Sequence, residues 1–191
     1  TGDIVAVVDC VNNANMESGT ARTSGIVAAC NRYTVIRGCA NYGHNLNTFN
    51  EKTESAGSAA RIGNITCITG AGSALYYTRN FGDLISTTTG AVGGVLCLVN
   101  SDDNVLEGVE TYGRVISDKA NNSYKGSFFG QCSKAATITN CVCGGTVGMY
   151  NGGTYDVVEV NADNYFDYIG QVGASAVNVT KENIRFGTAS N

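Results

Sequence analysis

Gly93-Gly94-Val95-Leu96-Cys97 is one of four versions of a single phrase, small-small-apolar-apolar-small. The others read Ser24-Gly25-Ile26-Val27-Ala28, Ala59-Ala60-Arg61-Ile62-Gly63 and Gly126-Ser127-Phe128-Phe129-Gly130. Counted at the second residue, the copies start at 25, 60, 94 and 127, in steps of 35, 34 and 33 residues. A second phrase runs between them: Ala40-Asn41-Tyr42-Gly43, Arg79-Asn80-Phe81-Gly82, Glu110-Thr111-Tyr112-Gly113 and, more loosely, Val142-Cys143-Gly144-Gly145. Repetition at a few tens of residues is the mark of a solenoid, propeller or array.

The repeats have the composition of strands. Val, Ile, Thr, Tyr and Phe come in short runs broken by Gly, Asn and Ser, as in 4–8, 62–68, 92–99, 114–117 and 137–139. No segment keeps a 3.6-residue apolar period over three turns without Gly, so no helix of ordinary length is expected. The chain contains no proline, and a β ladder is therefore nowhere denied a backbone donor. A propeller blade needs a period nearer 40–45 residues, and an antiparallel sandwich would not repeat one phrase. A coil carrying two or three short strands fits a parallel β-solenoid of about five coils, with small residues at its corners.

The repeat covers 1–151. Residues 152–191 depart from it: Thr154 to Val160 alternates like a half-buried strand, and short strands are expected at 176–179 and 184–186. This stretch is expected to act as a C-terminal cap, or as a strand that pairs with another subunit. Residues 44–58 read as a charged loop inserted into one coil.

Composition excludes several classes of function. The twelve Lys and Arg are scattered among 191 residues, with a net charge of -4, and form no basic stripe for nucleic acid. No apolar run approaches the roughly 18 residues of a membrane span. There is no signal-like leader and no initiator Met, as expected of a mature or trimmed product. Eight cysteines, an even number, point to an oxidising compartment; the alternative is a reduced chain whose thiols pack as small apolar groups. Asn64, Asn121 and Asn178 each begin an N-x-Ser/Thr glycosylation triplet.

The phrases of the type C-x-N-x-G and G-G-[IV]-[VL]-[GAC], here Cys39-Ala40-Asn41-Tyr42-Gly43 and Gly93-Gly94-Val95-Leu96-Cys97, resemble the GLUG-type repeats of large bacterial and protist surface proteins. The resemblance covers roughly 10–150. It implies right-handed β-helix coils, an extracellular or cell-surface location and binding or structural work, and it carries no shared active site. Arg61 departs from the pattern, and so does Asn12-Asn13-Ala14, which lacks the Gly and the aromatic residue.

The repeat also sorts the reactive residues into columns. Cys10, Cys39 and Cys141 share one column, while Cys30 and Cys132 share another. Either the pairs Cys30/Cys39 and Cys132/Cys141 form disulfides within a coil, or Cys10 joins Cys39 across coils. Tyr42, Phe81 and Tyr112 share a column and are expected to stack as a ladder, which either stiffens the molecule or offers a flat platform to a glycan or protein. Cys141-Val142-Cys143 is not C-x-x-C, and with His44 as the only histidine a zinc site is not expected. No nucleophile is placed beside His44, which reads as a solvated loop residue. The carboxylates Asp102-Asp103-Asn104 and Asp156, Glu159, Asp163 and Asp167 match no dedicated calcium loop. Asp83, Glu110 and Asp118 are nominal candidates for a glycoside-cleaving pair, with no Trp to hold a sugar.

The sequence therefore predicts an extracellular structural or adhesive protein without cofactor or enzymatic activity. In one form it is the self-assembling subunit of a fibre or coat; in another it is a monomeric module binding a surface glycan or protein. A polysaccharide-degrading β-helix is the third reading.

Overall fold

The computed structural model describes residues 4–19, 22–48, 61–87, 90–118, 125–151, 154–162 and 179–188. The described chain is all-β, and with one exception its strand pairs are parallel. It is a parallel β-solenoid. Each complete coil holds five short strands rather than two or three. The first runs Val5–Val8, Val11–Asn12, Met16–Ser18, Arg22–Ser24 and Val27–Ala29.

Equivalent strands of successive coils stack into five sheets. Sheet I holds Val5–Val8, Thr34–Arg37, Ala74–Tyr76, Asn104–Glu107, Ala136–Thr139 and Val179–Glu182. Sheet II holds Val11–Asn12, Ala40–Asn41, Arg79–Asn80, Glu110–Thr111, Val142–Cys143 and Arg185–Phe186. Sheet III runs from Met16–Ser18 to Thr146–Asn151, where Thr154–Glu159 turns back antiparallel along its edge. Sheets IV and V carry the first phrase, the corner between them falling at Gly25-Ile26, Asn64-Ile65, Gly94-Val95 and Ser127-Phe128.

That corner corrects two readings. The runs 62–68 and 92–99 are each two strands, Arg61–Gly63 with Thr66–Thr69 and Ala91–Gly93 with Leu96–Val99. The second copy of the phrase was also placed out of register. Gly63 pairs with Ser24 and Gly93, so the true copy is Gly63-Asn64-Ile65-Thr66-Cys67. Copies then start at 25, 64, 94 and 127, in steps of 39, 30 and 33. The coil that carries the insertion is long, and its neighbour is short. Arg61 replaces no apolar residue; it stacks between Arg22 and Ala91 at the start of sheet IV.

Packing follows from the parallel register. A strand in register on its neighbour, about 4.8 Å away, places like side chains above one another. Val7, Ile36, Leu75, Leu106 and Ile138 form one such inward column, and the last four are buried. Burying a side chain of this size contributes about 1.5–3 kcal/mol. The corner between sheets I and II is left-handed in every coil: Asp9, Gly38, Tyr77, Gly108, Asn140 and Asn183 have φ between 50° and 64°. Gly, Asn and Asp tolerate that conformation, whereas Tyr77 does so at a steric cost.

Val179–Glu182 and Arg185–Phe186 rejoin sheets I and II as a sixth, partial coil. Thr154–Glu159 was expected to be half-buried, but it is exposed along its whole length because it lies at the sheet edge with nothing described against it. Of the strand expected at 176–179, residues 176–178 lie outside the described residues, as do most of the 44–58 loop and Asp163 and Asp167.

Candidate functional site

Sheet II and the corner after it bring the second phrase into three parallel columns. Asn12, Asn41, Asn80 and Thr111 point inward. The Nδ2 of Asn12 donates to Oδ1 of Asn41 at 2.7 Å, and that of Asn41 donates to Oδ1 of Asn80 at 3.0 Å. Nδ2 of Asn80 reaches Oγ1 of Thr111 at 3.4 Å. Each amide also closes its own corner by donating to the carbonyl two residues on, at Ala14, Gly43 and Gly82. The phrase keeps Gly at its last position because the coils approach too closely for a Cβ. One added at Gly82 would collide with the Gly43 carbonyl.

Between the Asn and the Gly, one residue points out. Tyr42 and Phe81 stack with centroids 4.8 Å apart and planes 4° from parallel; Phe81 and Tyr112 stack at 5.4 Å and 19°. The ladder is real, but it is not a flat platform. Its rings lie face to face along the solenoid axis and present edges to solvent, so a ring face is free only at an end of the stack. Beyond Tyr112 the column continues as Gly144, and the adjoining sixth coil brings Gly187. Where further rings would stand there is instead a solvent-open cleft of about 390 Å³, lined by Arg79, Phe81, Glu110, Tyr112, Val142 and Arg185 among others.

The cleft is lined by both charged and aromatic side chains. Arg79 Nε lies 3.4 Å from Glu110 Oε2, which also accepts the Tyr112 hydroxyl at 3.1 Å. Partial burial, and then the hydrogen bond and charge of Glu110, push the Tyr112 phenol up from its ordinary value. Arg185, on the sixth coil, is exposed and forms no ion pair with any described residue. Aromatic and apolar surface comes from Tyr112, Phe81, Phe186 and Val142.

The other nominal sites have structural explanations. Asp83 receives Arg114 three ways: backbone N at 2.8 Å, Nε at 2.9 Å and Nη2 at 2.6 Å. Burial would raise its carboxyl, but Arg114 and the nearby His44 hold it below the usual carboxylate range. Nδ1 of His44 lies 3.1 Å from the Asp83 backbone N, whose N–H it accepts, and 3.5 Å from Asp83 Oδ2. Glu110 is taken up by Arg79 and Tyr112, and the side chain of Asp118 lies outside the described residues. Asp102 lies 3.8 Å from Lys134 and accepts the Ala135 N–H, as a turn residue does.

All eight cysteines are free thiols. The expected columns exist. Cys10 and Cys39 follow one another on adjacent coils, with Ala40 N donating to Cys10 O, and Cys30 and Cys132 lie in one column, three coils apart, with Thr69 and Val99 between them. Cys67 and Cys97, not singled out in the sequence, stand directly above one another between the pairs Thr66/Leu96 and Ile68/Leu98. The slipped register had hidden this pair. Asn64 is fully buried and donates from Nδ2 to the Gly82 carbonyl at 2.6 Å, so the folded chain has no room for a glycan there. Asn121 and Asn178 lie outside the described residues. Among the described residues no helix is long and apolar enough to cross a membrane. Comparison with protein-family models, with curated proteins and with solved structures gives no match to this chain.

Proposed function

We propose that this chain is an extracellular, non-catalytic adhesive module that binds its partner through the lateral face of sheet II. The observation that carries this reading is the cleft at the C-terminal end of the aromatic ladder. The last ring of the ladder, Tyr112, lines it together with Phe186 and with Arg185, which has no carboxylate partner among the described residues. The resemblance to GLUG-type surface repeats supports the extracellular part.

The fibre-subunit reading is weaker at one end and stronger at the other. Lys181 occupies the last place in the column Val7, Ile36, Leu75, Leu106, Ile138. A second molecule stacked head-to-tail would bury that ammonium under its own Val7, which charged edge residues characteristically prevent. The first coil, by contrast, presents Ile4, Val5, Val8 and Val11 half or more exposed. This edge favours a second reading, in which another copy stacks on it.

Sedimentation and binding separate the two. A monodisperse monomer at tens of micromolar, which binds members of a glycan and surface-protein panel and loses them on Tyr112→Ala, is the expected result. Filaments or larger stacks, together with no binding that depends on Tyr112, would overturn it.

A further inference from the structure

The ligand class is written in the lining of the cleft. We infer that the ladder-end cleft recognises an acidic saccharide, a pyranose carrying a carboxylate, and this inference rests on the adhesive reading above. Three observations converge on it.

The first is the truncated ladder. Tyr112 is stacked on one face only, and the two following positions, Gly144 and Gly187, supply no side chain. Gly144 is not free to become aromatic, because a Cβ there would strike the Gly187 carbonyl and lie 2.9 Å from Cδ1 of Tyr112; Gly187 has open space around it but a φ of 148° that side-chain-bearing residues rarely adopt. The close packing of the last two coils thus keeps the space open. A saccharide ring, apolar on its C–H face and ringed by hydroxyls, can occupy it as the next rung.

The second is the distribution of polarity. The apolar lining comes from Tyr112, Phe81, Val142 and Phe186, while Glu110, Arg79 and Thr188 supply polar groups beside it. A greasy peptide side chain would leave these polar groups desolvated without partners, which is unfavourable for each group so buried. Hydroxyls satisfy both kinds, accepting from Arg79 and donating to Glu110.

The third is charge. Arg79 is balanced by Glu110, but Arg185 has no carboxylate partner among the described residues. A planar guanidinium at the rim of a cleft matches a carboxylate with two parallel hydrogen bonds. The chain as a whole carries a net charge of -4, so attraction of an anion to this face is a local property of Arg185 and its surroundings.

The probes are tetragalacturonate, a hyaluronan tetrasaccharide and sialyllactose, with methyl-esterified tetragalacturonate and cellotetraose as uncharged controls. Calorimetric titration of the whole chain should show binding of at least one acidic probe that weakens at least tenfold in the esterified form or in 0.5 M salt. Arg185→Gln and Tyr112→Ala should each weaken it at least tenfold with the far-UV spectrum unchanged. Arg32→Gln, whose guanidinium lies 5.7 Å from the Tyr33 ring on another part of the coil, should leave it unaltered. Equal affinity for the esterified probe, or an Arg185→Gln variant that binds like the parent, overturns the assignment. So does failure of all three acidic probes. If cellotetraose or a protein still binds in a Tyr112-dependent way, the adhesive reading survives while the acidic saccharide does not; if nothing binds through Tyr112, both fall.

Discussion

Asn45 sits where an apolar residue belongs. It is buried in the column Met16, Asn45, Leu84, Val115, Val147, and neither atom of its amide has a hydrogen-bond partner. Asn41, one strand earlier, satisfies its amide twice. The contrast isolates what a buried amide costs when the ladder does not receive it, about 1–3 kcal/mol. Asn45→Leu should therefore stabilise the protein by about that amount, read as a higher urea midpoint at constant slope. A lower midpoint would mean that the site cannot take the larger side chain and that the argument fails. Single residues were the least legible part of the sequence. The left-handed corner is filled by Asp, Gly, Tyr, Gly, Asn and Asn at uneven spacings, and no phrase marks it. The ladder asparagines lay inside a recognised phrase, yet the aromatic next to them drew the attention.

At the scale of the element, coils are held together by cross-coil pairs as well as by backbone ladders. The Asp83–Arg114 pair links successive coils just ahead of Leu84–Ser86 and Val115–Asp118 in sheet III. The Asp83 carboxyl is held below its ordinary value, so the folded state binds its proton less readily than the unfolded chain does. The stability it contributes is present above the unfolded value of about 3.9 and is lost as pH falls through the folded one. Acid unfolding below about pH 4 should accordingly be less steep in Asp83→Asn than in the parent. The variant should also be less stable at pH 7, by about 1–3 kcal/mol for a charged hydrogen bond lost. Equal pH profiles for the two proteins would rule the pair out as a contributor. Elements were legible as a repeat but not as a register. The matched phrase slipped by four residues in the second coil, because the Arg61-Ile62-Gly63 strand also satisfies a loose small-and-apolar pattern once an insertion of unknown length precedes it. Five strands per coil escaped notice for a related reason: strands of two or three residues are too short to show an alternation of their own.

At the scale of the whole molecule, the interior is a thiol-rich core. Burial pushes up the thiols of Cys30, Cys39, Cys67, Cys97, Cys132, Cys141 and Cys143, to about 11 at Cys67 and Cys141. A raised folded value means stability that is full below the unfolded thiol value of about 8.5 and lost as pH rises above it. Lys125, pulled down to about 8 by desolvation, works in the opposite sense over the same range. Burial lowers Lys181 in the same way, but seven thiols against two lysines decide the sign, so the urea midpoint should fall between pH 8 and pH 10. In the same protein at neutral pH, iodoacetamide should mark exposed Cys10 quickly and the other seven only after unfolding. Rapid labelling of several cysteines in the native state would contradict this packing. The solenoid itself was legible at this scale, because stacking is periodic and sequence records periods. The cleft was not, since it is made where the ladder stops and a partial sixth coil returns from outside the repeat.

The unequal ends of the stack also bear on mechanics. A coil is held only by its neighbours, so a solenoid under tension yields from whichever terminal coil is held least. The first coil has Ile4, Val5, Val8 and Val11 uncovered, whereas the sixth adds Val179–Glu182 and Arg185–Phe186 over sheets I and II. A pull along the axis should therefore unwind the molecule like a ribbon from the Val5 side. The ladder-end cleft, at the far end, would keep its grip until the last coils give way.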